Sequence, residues 1–231
     1  MSEPGPVLAV FAHPDDAEIS SGATLAKWAA AGRAVHLLVL TNGNRGAEAP
    51  DTDRVALAAT RAAETDRAGK VLGLAGTRVL ETHDGELENV PHVRVEVVRE
   101  IRRVRPEIVL SCDPTAWFFE DAYANHRDHR MAGEIAVDAT FPAAGNALFF
   151  QEELADAAPW SVKELWLGWT NEPNHVEDVT GHVETKLAAL AEHESQVGGD
   201  GIFFFRDWLP EAAVREGARI GVRAGESFRV L

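Results

Sequence analysis

Four side chains that can bind a metal ion or move a proton lie close together near the N-terminus. The segment HPDDAE contains His13, Asp15, Asp16 and Glu18. So many carboxylates at one point are costly to pack unless positive charge compensates them. A divalent cation does so through imidazole nitrogen and carboxylate oxygen. The alternative is a helix cap, because Asp15 or Asp16 could accept the first N–H groups of a following helix. This segment alone leaves both interpretations open.

A second cluster, HRDH, contains His126, Asp128 and His129. Residues three apart share one face of a helical turn, so the two histidines can point toward one site. The ordinary alternative is a pair of surface histidines in an acidic protein. Each cluster lies just beyond a predicted buried strand, and this favours one site built from both clusters.

Alternating strands and helices must position these clusters. Apolar runs predict strands at 7–12, 34–40, 78–80 and 107–112, and helical spacing predicts helices at 19–31, 55–72 and 93–104. The order predicts an α/β fold, a doubly wound and mostly parallel sheet with helices on both faces. Ligands bind such sheets beyond the carboxyl ends of the strands. If the first and fourth strands are neighbours, both clusters reach the same crevice.

The C-terminal third is less regular. A strand is predicted at 163–168 and a helix at 183–193, whereas the pattern assigns no structure to 200–231. The length suits a single core. We therefore expect one domain over 1–231. Its core spans about 6–140, and a C-terminal portion of about 141–231 completes the fold and the substrate site.

Composition excludes several classes of protein. The chain has 231 residues, 45% of them hydrophobic, and a formal net charge of −15. It is too apolar for a disordered chain. Its acidity argues against binding nucleic acid or an anionic membrane surface. Cys112 is the single cysteine, so no internal disulfide can form. The N-terminus has no basic region before its short apolar run, so we expect no membrane insertion and a cytoplasmic location.

The two clusters also carry a resemblance to a known family. AHPDDAE at 12–18, followed by GAT at 22–24, resembles the opening signature of the LmbE-like (PIG-L) zinc-dependent de-N-acetylases. Later segments resemble that family in the same order: Arg61-x-x-Glu64 with Leu72-Gly73, Asp84-Gly85, His126-Arg127-Asp128-His129, and Lys186 with His193-x-Ser195-Gln196. The family often has Pro where Arg127 stands and Gly-Gly where Gly22-Ala23 stands. Neither difference removes a metal ligand.

This resemblance implies a Rossmann-like fold and removal of an N-acetyl group, usually from an N-acetylglucosamine-type substrate. The implied cofactor is one catalytic Zn2+, although the same ligands also serve Fe2+. The implied metal ligands are His13, Asp16 and His129. Three protein ligands leave a position for water, as in catalytic zinc sites. By the same resemblance Asp15 is the general base, and Asp128 orients a histidine. His126 stabilises the oxyanion and, as an imidazolium, protonates the leaving amine.

Two other functions fit the residues. One is an amidase for a larger N-acyl or thiol-conjugate substrate, with the same metal chemistry. The other is a binding module that holds a metal or a nucleotide without chemistry. The first turn has no G-x-G-x-x-G and no Walker lysine, which argues against the nucleotide. The expected partner is therefore a small N-acetylated amino sugar, and a homo-oligomer is an open expectation.

Overall fold

The first half of the chain folds as the predicted alternating series. The computed structural model describes residues 4–119, 122–199 and 201–231. Its first elements are β1 (Val7–Phe11), α1 (Asp16–Ala30), β2 (Val35–Thr41), α2 (Arg54–Leu72), β3 (Gly76–Thr82), α3 (Pro91–Val104) and β4 (Ile108–Cys112). β1 pairs in parallel with both β2 and β4, and β3 pairs in parallel with β2. The first and fourth strands are thus neighbours.

The second half extends the same sheet. The further elements are β5 (Phe118–Phe119), β6 (Tyr123–Ala124), α4 (Arg127–Asp138), a π-helical turn (Ala139–Ala143), β7 (Glu164–Gly168), β8 (His175–Asp178), α5 (Val183–Leu190), α6 (Glu194–Val197), α7 (Gly201–Ala218) and β9 (Gly225–Val230). β7 lies parallel to β4, whereas β9 is antiparallel to both β7 and β8. The seven-stranded order is β3-β2-β1-β4-β7-β9-β8, and β5 pairs separately with β6. The predicted α/β fold with a mostly parallel sheet is confirmed.

Both faces of this sheet are buried, which explains the continuous apolar runs. Alternate residues of β1 enter two different cores, because side chains along a strand point to opposite faces. Leu8 packs in the core that includes side chains of α3 and α4. Phe11 packs in the opposite core with side chains of α1 and α2. A strand covered by helices on both sides needs apolar residues at every position.

The predicted elements differ from the structure mainly in the C-terminal third. The helix predicted at 183–193 ends at Leu190, and the separate turn of α6 begins at Glu194. The unassigned tail contains α7 and β9. None of the described helices has the length and hydropathy needed to cross a bilayer.

Candidate metal centre

The two clusters meet at the carboxyl ends of β1 and β4. The ring of His13 lies 4.7 Å from that of His126 and 5.2 Å from that of His129, between ring centroids. His13 follows β1, whereas the other two histidines stand at the start of α4. The parallel pairing of β1 with β4 therefore brings both clusters to one crevice, as the sequence predicts.

Neither aspartate of the first cluster caps α1 in the way the alternative interpretation requires. Asp15 occupies the cap position, but its side chain makes no cap hydrogen bond. Asp16 is already helical, and its Oδ2 accepts the backbone N–H of His13 at 2.8 Å. By contrast, Asp53 caps α2 by accepting from two backbone N–H groups. Both carboxylates of the first cluster are thus available for chemistry.

Asp16 is the centre of the site. Its Oδ2 lies 3.4 Å from Nδ1 of His13, and its Oδ1 lies 3.1 Å from Nε2 of His129. Each histidine has an acceptor beside its other ring nitrogen. Nδ1 of His129 lies 3.0 Å from Oδ1 of Asn125. Nε2 of His13 lies 3.2 Å from Asp84 and 3.5 Å from Asp128.

These outer acceptors decide which ring nitrogens can bind a metal. A neutral imidazole directs its single N–H toward the outer acceptor, so its lone pair faces Asp16. With both rings neutral in this way, two lone pairs would be directed at one carboxylate, an arrangement that a cation between them stabilises. The donor set of His13, Asp16 and His129 therefore fits a divalent metal with nitrogen and oxygen ligands.

The charges of the cluster agree with this fit. Burial opposes ionisation of Asp16, but His129 and His13 hold the pKa of this carboxyl well below its usual range. Burial also lowers the pKa of His13, but Asp16, Asp128 and Asp84 together raise it well above its ordinary value. The site thus demands positive charge, which either protons or a metal ion can supply.

His126 differs from His13 and His129 in the hydrogen bond that its ring accepts. Ligand atoms of His13, His126 and His129 lie within 4.8 Å of one another, as do those of His13, Asp84 and Asp128. However, Nδ1 of His126 accepts the backbone N–H of Asp128 at 3.1 Å. The proton of a neutral ring then sits on Nε2, which is a donor and cannot ligate a metal.

This geometry also differs from the expected imidazolium form of His126. Burial lowers its pKa, and the charges of His13 and His129 lower it further. An N–H that points at Nδ1 is incompatible with a second ring proton. The structure therefore favours a neutral His126 that presents an Nε2–H donor.

Asp15 combines backbone strain with a shifted pKa. Its φ of 104° lies in the left-handed region that non-glycine residues seldom adopt. Burial raises the pKa of its carboxyl to about 6, although the nearby Arg61 acts to lower it. Nη2 of Arg61 lies 3.3 Å from Oδ2 of Asp15 and donates to the carbonyl of Pro14 at 2.6 Å. A carboxylate of this kind can exchange a proton near neutral pH.

Asp128 is fully buried, and its carboxylate accepts a hydrogen bond from a residue outside its own helix. Its Oδ2 accepts the backbone N–H of Gly85 at 2.7 Å, from the turn after β3. Asp84, beside that glycine, contacts His13 directly. Asp84, Arg61 and Asn125 were not selected as site residues from the sequence. The first two stand in the segments that carry the family resemblance, whereas Asn125 gives no signal beyond its place beside HRDH.

Trp169 lies beside the site, whereas Trp166 and Cys112 lie in the core. Trp169 packs against the ring of His129, with 4.7 Å between centroids. Trp166 packs instead against Trp28 in the core, at 5.0 Å. Cys112 is buried, and burial raises the pKa of its thiol well above its ordinary value. It remains a core residue.

Comparison with known proteins places this architecture in a family. The family model of PIG-L, GlcNAc-PI de-N-acetylase, matches residues 8–140. This segment holds both clusters, and it covers more than half of the chain. The chain belongs to the PIG-L family.

Two curated members of the PIG-L family illustrate the similarity. A diacetylchitobiose deacetylase from Thermococcus kodakarensis is 34% identical over 226 residues, which cover 97% of this chain and 82% of that protein. A 1D-myo-inositol 2-acetamido-2-deoxy-alpha-D-glucopyranoside deacetylase from Kineococcus radiotolerans is 28% identical over 262 residues. That alignment covers 85% of this chain and 70% of the relative.

A solved PIG-L structure is similar over nearly the whole chain. The N,N'-diacetylchitobiose deacetylase from Pyrococcus horikoshii, in complex with an inhibitor, superposes with a TM-score of 0.89 at 31% identity. The match covers 98% of this chain and 83% of that one. The similarity therefore extends beyond the matched family segment and includes the strands β7 to β9.

Proposed function

We propose that this PIG-L-family protein is a metal-dependent hydrolase that removes the N-acetyl group from a small N-acetylglucosamine-type substrate. The observation that carries the proposal is the convergence of His13 and His129 on Asp16, with Asp15 beside them. The relatives named above are deacetylases of N-acetylated amino sugars. The chemistry of the site and the similarity thus support the same reaction.

The metal would be held by Nδ1 of His13, the carboxylate of Asp16 and Nε2 of His129. We propose Zn2+, because two imidazoles and one carboxylate are a common set for catalytic zinc, although Fe2+ accepts the same ligands. When bound, such an ion acts as a Lewis acid that activates water and polarises a carbonyl. Asp84 and Asp128 lie 3.2 and 3.5 Å from Nε2 of His13, where their carboxylates would favour a proton on that nitrogen and leave Nδ1 for the metal.

The protein side chains move the proton and stabilise the charge. Asp15 accepts a proton from the attacking water as a new C–O bond forms at the acetyl carbon. The Nε2–H of His126 donates to the acetyl oxygen, where negative charge develops. The amide C–N bond then breaks, and protonated Asp15 returns its proton to the leaving nitrogen. Acetate and a free amine are the products.

A direct experiment tests this function. Metal-loaded protein is incubated with N-acetylglucosamine and N,N'-diacetylchitobiose, and the released acetate is measured. We expect acetate from at least one of these sugars. We expect a loss of about 10²–10⁴-fold when Asp15 becomes Asn, the usual contribution of a general base. The proposal is wrong if metal-loaded protein releases no acetate from any N-acetylated amino sugar.

We further propose that 1–231 form one domain, since β7, β9 and β8 continue the sheet begun by β1 to β4. The cytoplasmic location expected above stays a prediction. Assembly into a homo-oligomer stays a prediction.

A further inference from the structure

A fully buried pair of ionisable side chains involves the first turn of α1 and has no part in the chemistry proposed above. Nε2 of His193 is 3.4 Å from Oε2 of Glu18, and both side chains have no exposed surface. Within the described part of the chain, neither the carboxylate oxygens of Glu18 nor the ring nitrogens of His193 make a hydrogen bond of ordinary geometry, so the pair meets as an ion-pair contact. Burying such a pair carries a large desolvation penalty and is weak support for stability alone.

Glu18 lies in the turn of α1 that carries Asp15. Asp15 is the residue that precedes the first turn of α1, and Glu18 lies within that turn. Ile19, next to Glu18, donates its backbone N–H to the carbonyl of Asp15 at 3.0 Å. Any shift of Glu18 thus moves the turn that holds Asp15.

Contacts of the residues that follow His193 hold it in place. It immediately precedes α6, whose residue Ser195 donates to Glu64 of α2 through both its backbone N–H, at 2.8 Å, and its hydroxyl, at 2.6 Å. The amide of Gln196 donates to the carbonyl of Gly46 at 2.9 Å. The position of His193 therefore does not depend on its contact with Glu18.

The conformation of Asp15 requires support of this kind. A non-glycine residue with a φ of 104° persists only where its surroundings fix it. Arg61 contacts its carboxylate on one side. Burial lowers the pKa of His193. The charges of Glu18 and Asp15 outweigh this effect and raise the pKa above its ordinary value.

We propose that His193 is a positioning residue for the reaction: through its buried contact with Glu18, it holds the first turn of α1 in the conformation that presents Asp15 to the site. The proposal rests on the function proposed above, because it assigns Asp15 the role of base. The charge of His193 also acts to lower the pKa of Asp15, so faster hydrogen exchange of the turn is the readout that separates positioning from electrostatics.

The variant His193→Ala tests this role in the metal-loaded protein. We expect kcat to fall by about 10-fold or more, part of the contribution of a general base, with KM changed less than about 2-fold. Metal content should stay at the wild-type level. Hydrogen exchange of peptides that cover 12–20 should become faster. The conservative His193→Gln, which keeps an N–H donor, should recover most of kcat.

Glu194→Gln is the matched control, because it removes a charge from the exposed residue next to His193 and leaves the anchor of Ser195 on Glu64 in place. It should leave the melting temperature, kcat and the exchange of 12–20 near wild type. If His193→Ala does not fold, Glu18→Gln removes the charge at constant volume and should show the same two effects.

Three results would overturn the proposal. They are an unchanged kcat in folded His193→Ala or Glu18→Gln, an equal loss of kcat in Glu194→Gln, and unchanged exchange of 12–20 in the His193 variant. A wild-type protein that releases no acetate would instead contradict the proposed function. The exchange measurement would still test the support of the turn.

Discussion

His129 places its Nε2 atom 3.1 Å from Oδ1 of Asp16. Asp16 begins the helix after β1, and His129 lies in the first turn of the helix that follows the β5–β6 hairpin. The contact therefore joins the starts of two helices that stand beyond neighbouring strands. Asn125 fixes the ring by accepting from Nδ1 at 3.0 Å, so the orientation of the metal-binding nitrogen is built into the fold.

Replacing this outer acceptor should weaken metal binding. Asn125→Ala removes the oxygen that orients His129, and we expect the metal affinity to fall by about 10–100-fold. Asn125→Asp is the matched control, because it keeps an oxygen at that position and should bind nearly as tightly as wild type. Competition with a chelator measures both constants. Equal affinity in Asn125→Ala and wild type would show that the ring needs no such support.

Variants of the adjacent Asp15 and Asp16 should distinguish the general base from the metal ligand. Asp15→Asn should keep the metal and lose activity by about 10²–10⁴-fold, because the proton acceptor is gone. Asp16→Asn should instead lose metal, because it removes a charged ligand. Elemental analysis and acetate release from the same samples distinguish the two. If the variants behaved the other way round, the two roles would have to be exchanged.

The charge of Arg61 should set the pH at which activity begins. Asp15 must be ionised to accept a proton, so kcat/KM rises as pH increases through its pKa. Burial raises that pKa to about 6, and Arg61 acts to lower it. A bound dication lowers it further in all variants. Arg61→Gln should therefore move the acid limb to higher pH.

The matched control for this shift is Arg67→Gln. Arg67 lies on the same helix, but its partner is Glu192 at the surface. The acid limb of this variant should coincide with that of wild type. The quantity to compare is the midpoint pH of the acid limb, because lost packing around Arg61 also changes the maximal value of kcat/KM. A midpoint that stays in place or moves to lower pH in Arg61→Gln would contradict the account.

His126 should act as a neutral donor. His126→Ala should retain metal and lower kcat by about 10²–10³-fold, as expected for loss of one oxyanion donor. Because the ring is already neutral, His126 should add no alkaline limb to the pH profile of kcat/KM. Metal analysis beside a full pH profile checks this. An alkaline limb that disappears in His126→Ala would restore the imidazolium role, and a metal-free variant would make His126 a ligand.

Much of this arrangement could be predicted from the sequence. Buried strands in a parallel sheet carry apolar residues on both faces, so β1, β2 and β4 are visible as continuous runs. Their carboxyl ends share one edge, which predicts that the segments around His13 and His129 meet. The structure shows this meeting, whereas the individual roles stay predictions for the variants above.

The rest depends on contacts between distant segments. Arg61 lies on α2 and reaches the turn after β1, 46 residues away in sequence. The neutral state of His126 follows from a backbone N–H at the start of α4, which has no signature in residue types. The strand β9 was missed because it pairs antiparallel to β7, outside the alternating pattern. The periodicity of apolar residues indicates which positions are buried, but it does not indicate which distant segments contact each other.

The most direct measurement is bound metal and released acetate in the same protein samples. Metal-loaded wild type and His129→Ala are compared, with His92→Ala as a control because His92 is exposed on α3. The account predicts about one metal per chain and acetate release in wild type and control, as for a single catalytic site. His129→Ala should lose both together. Full metal occupancy with full activity in His129→Ala would contradict the site described above.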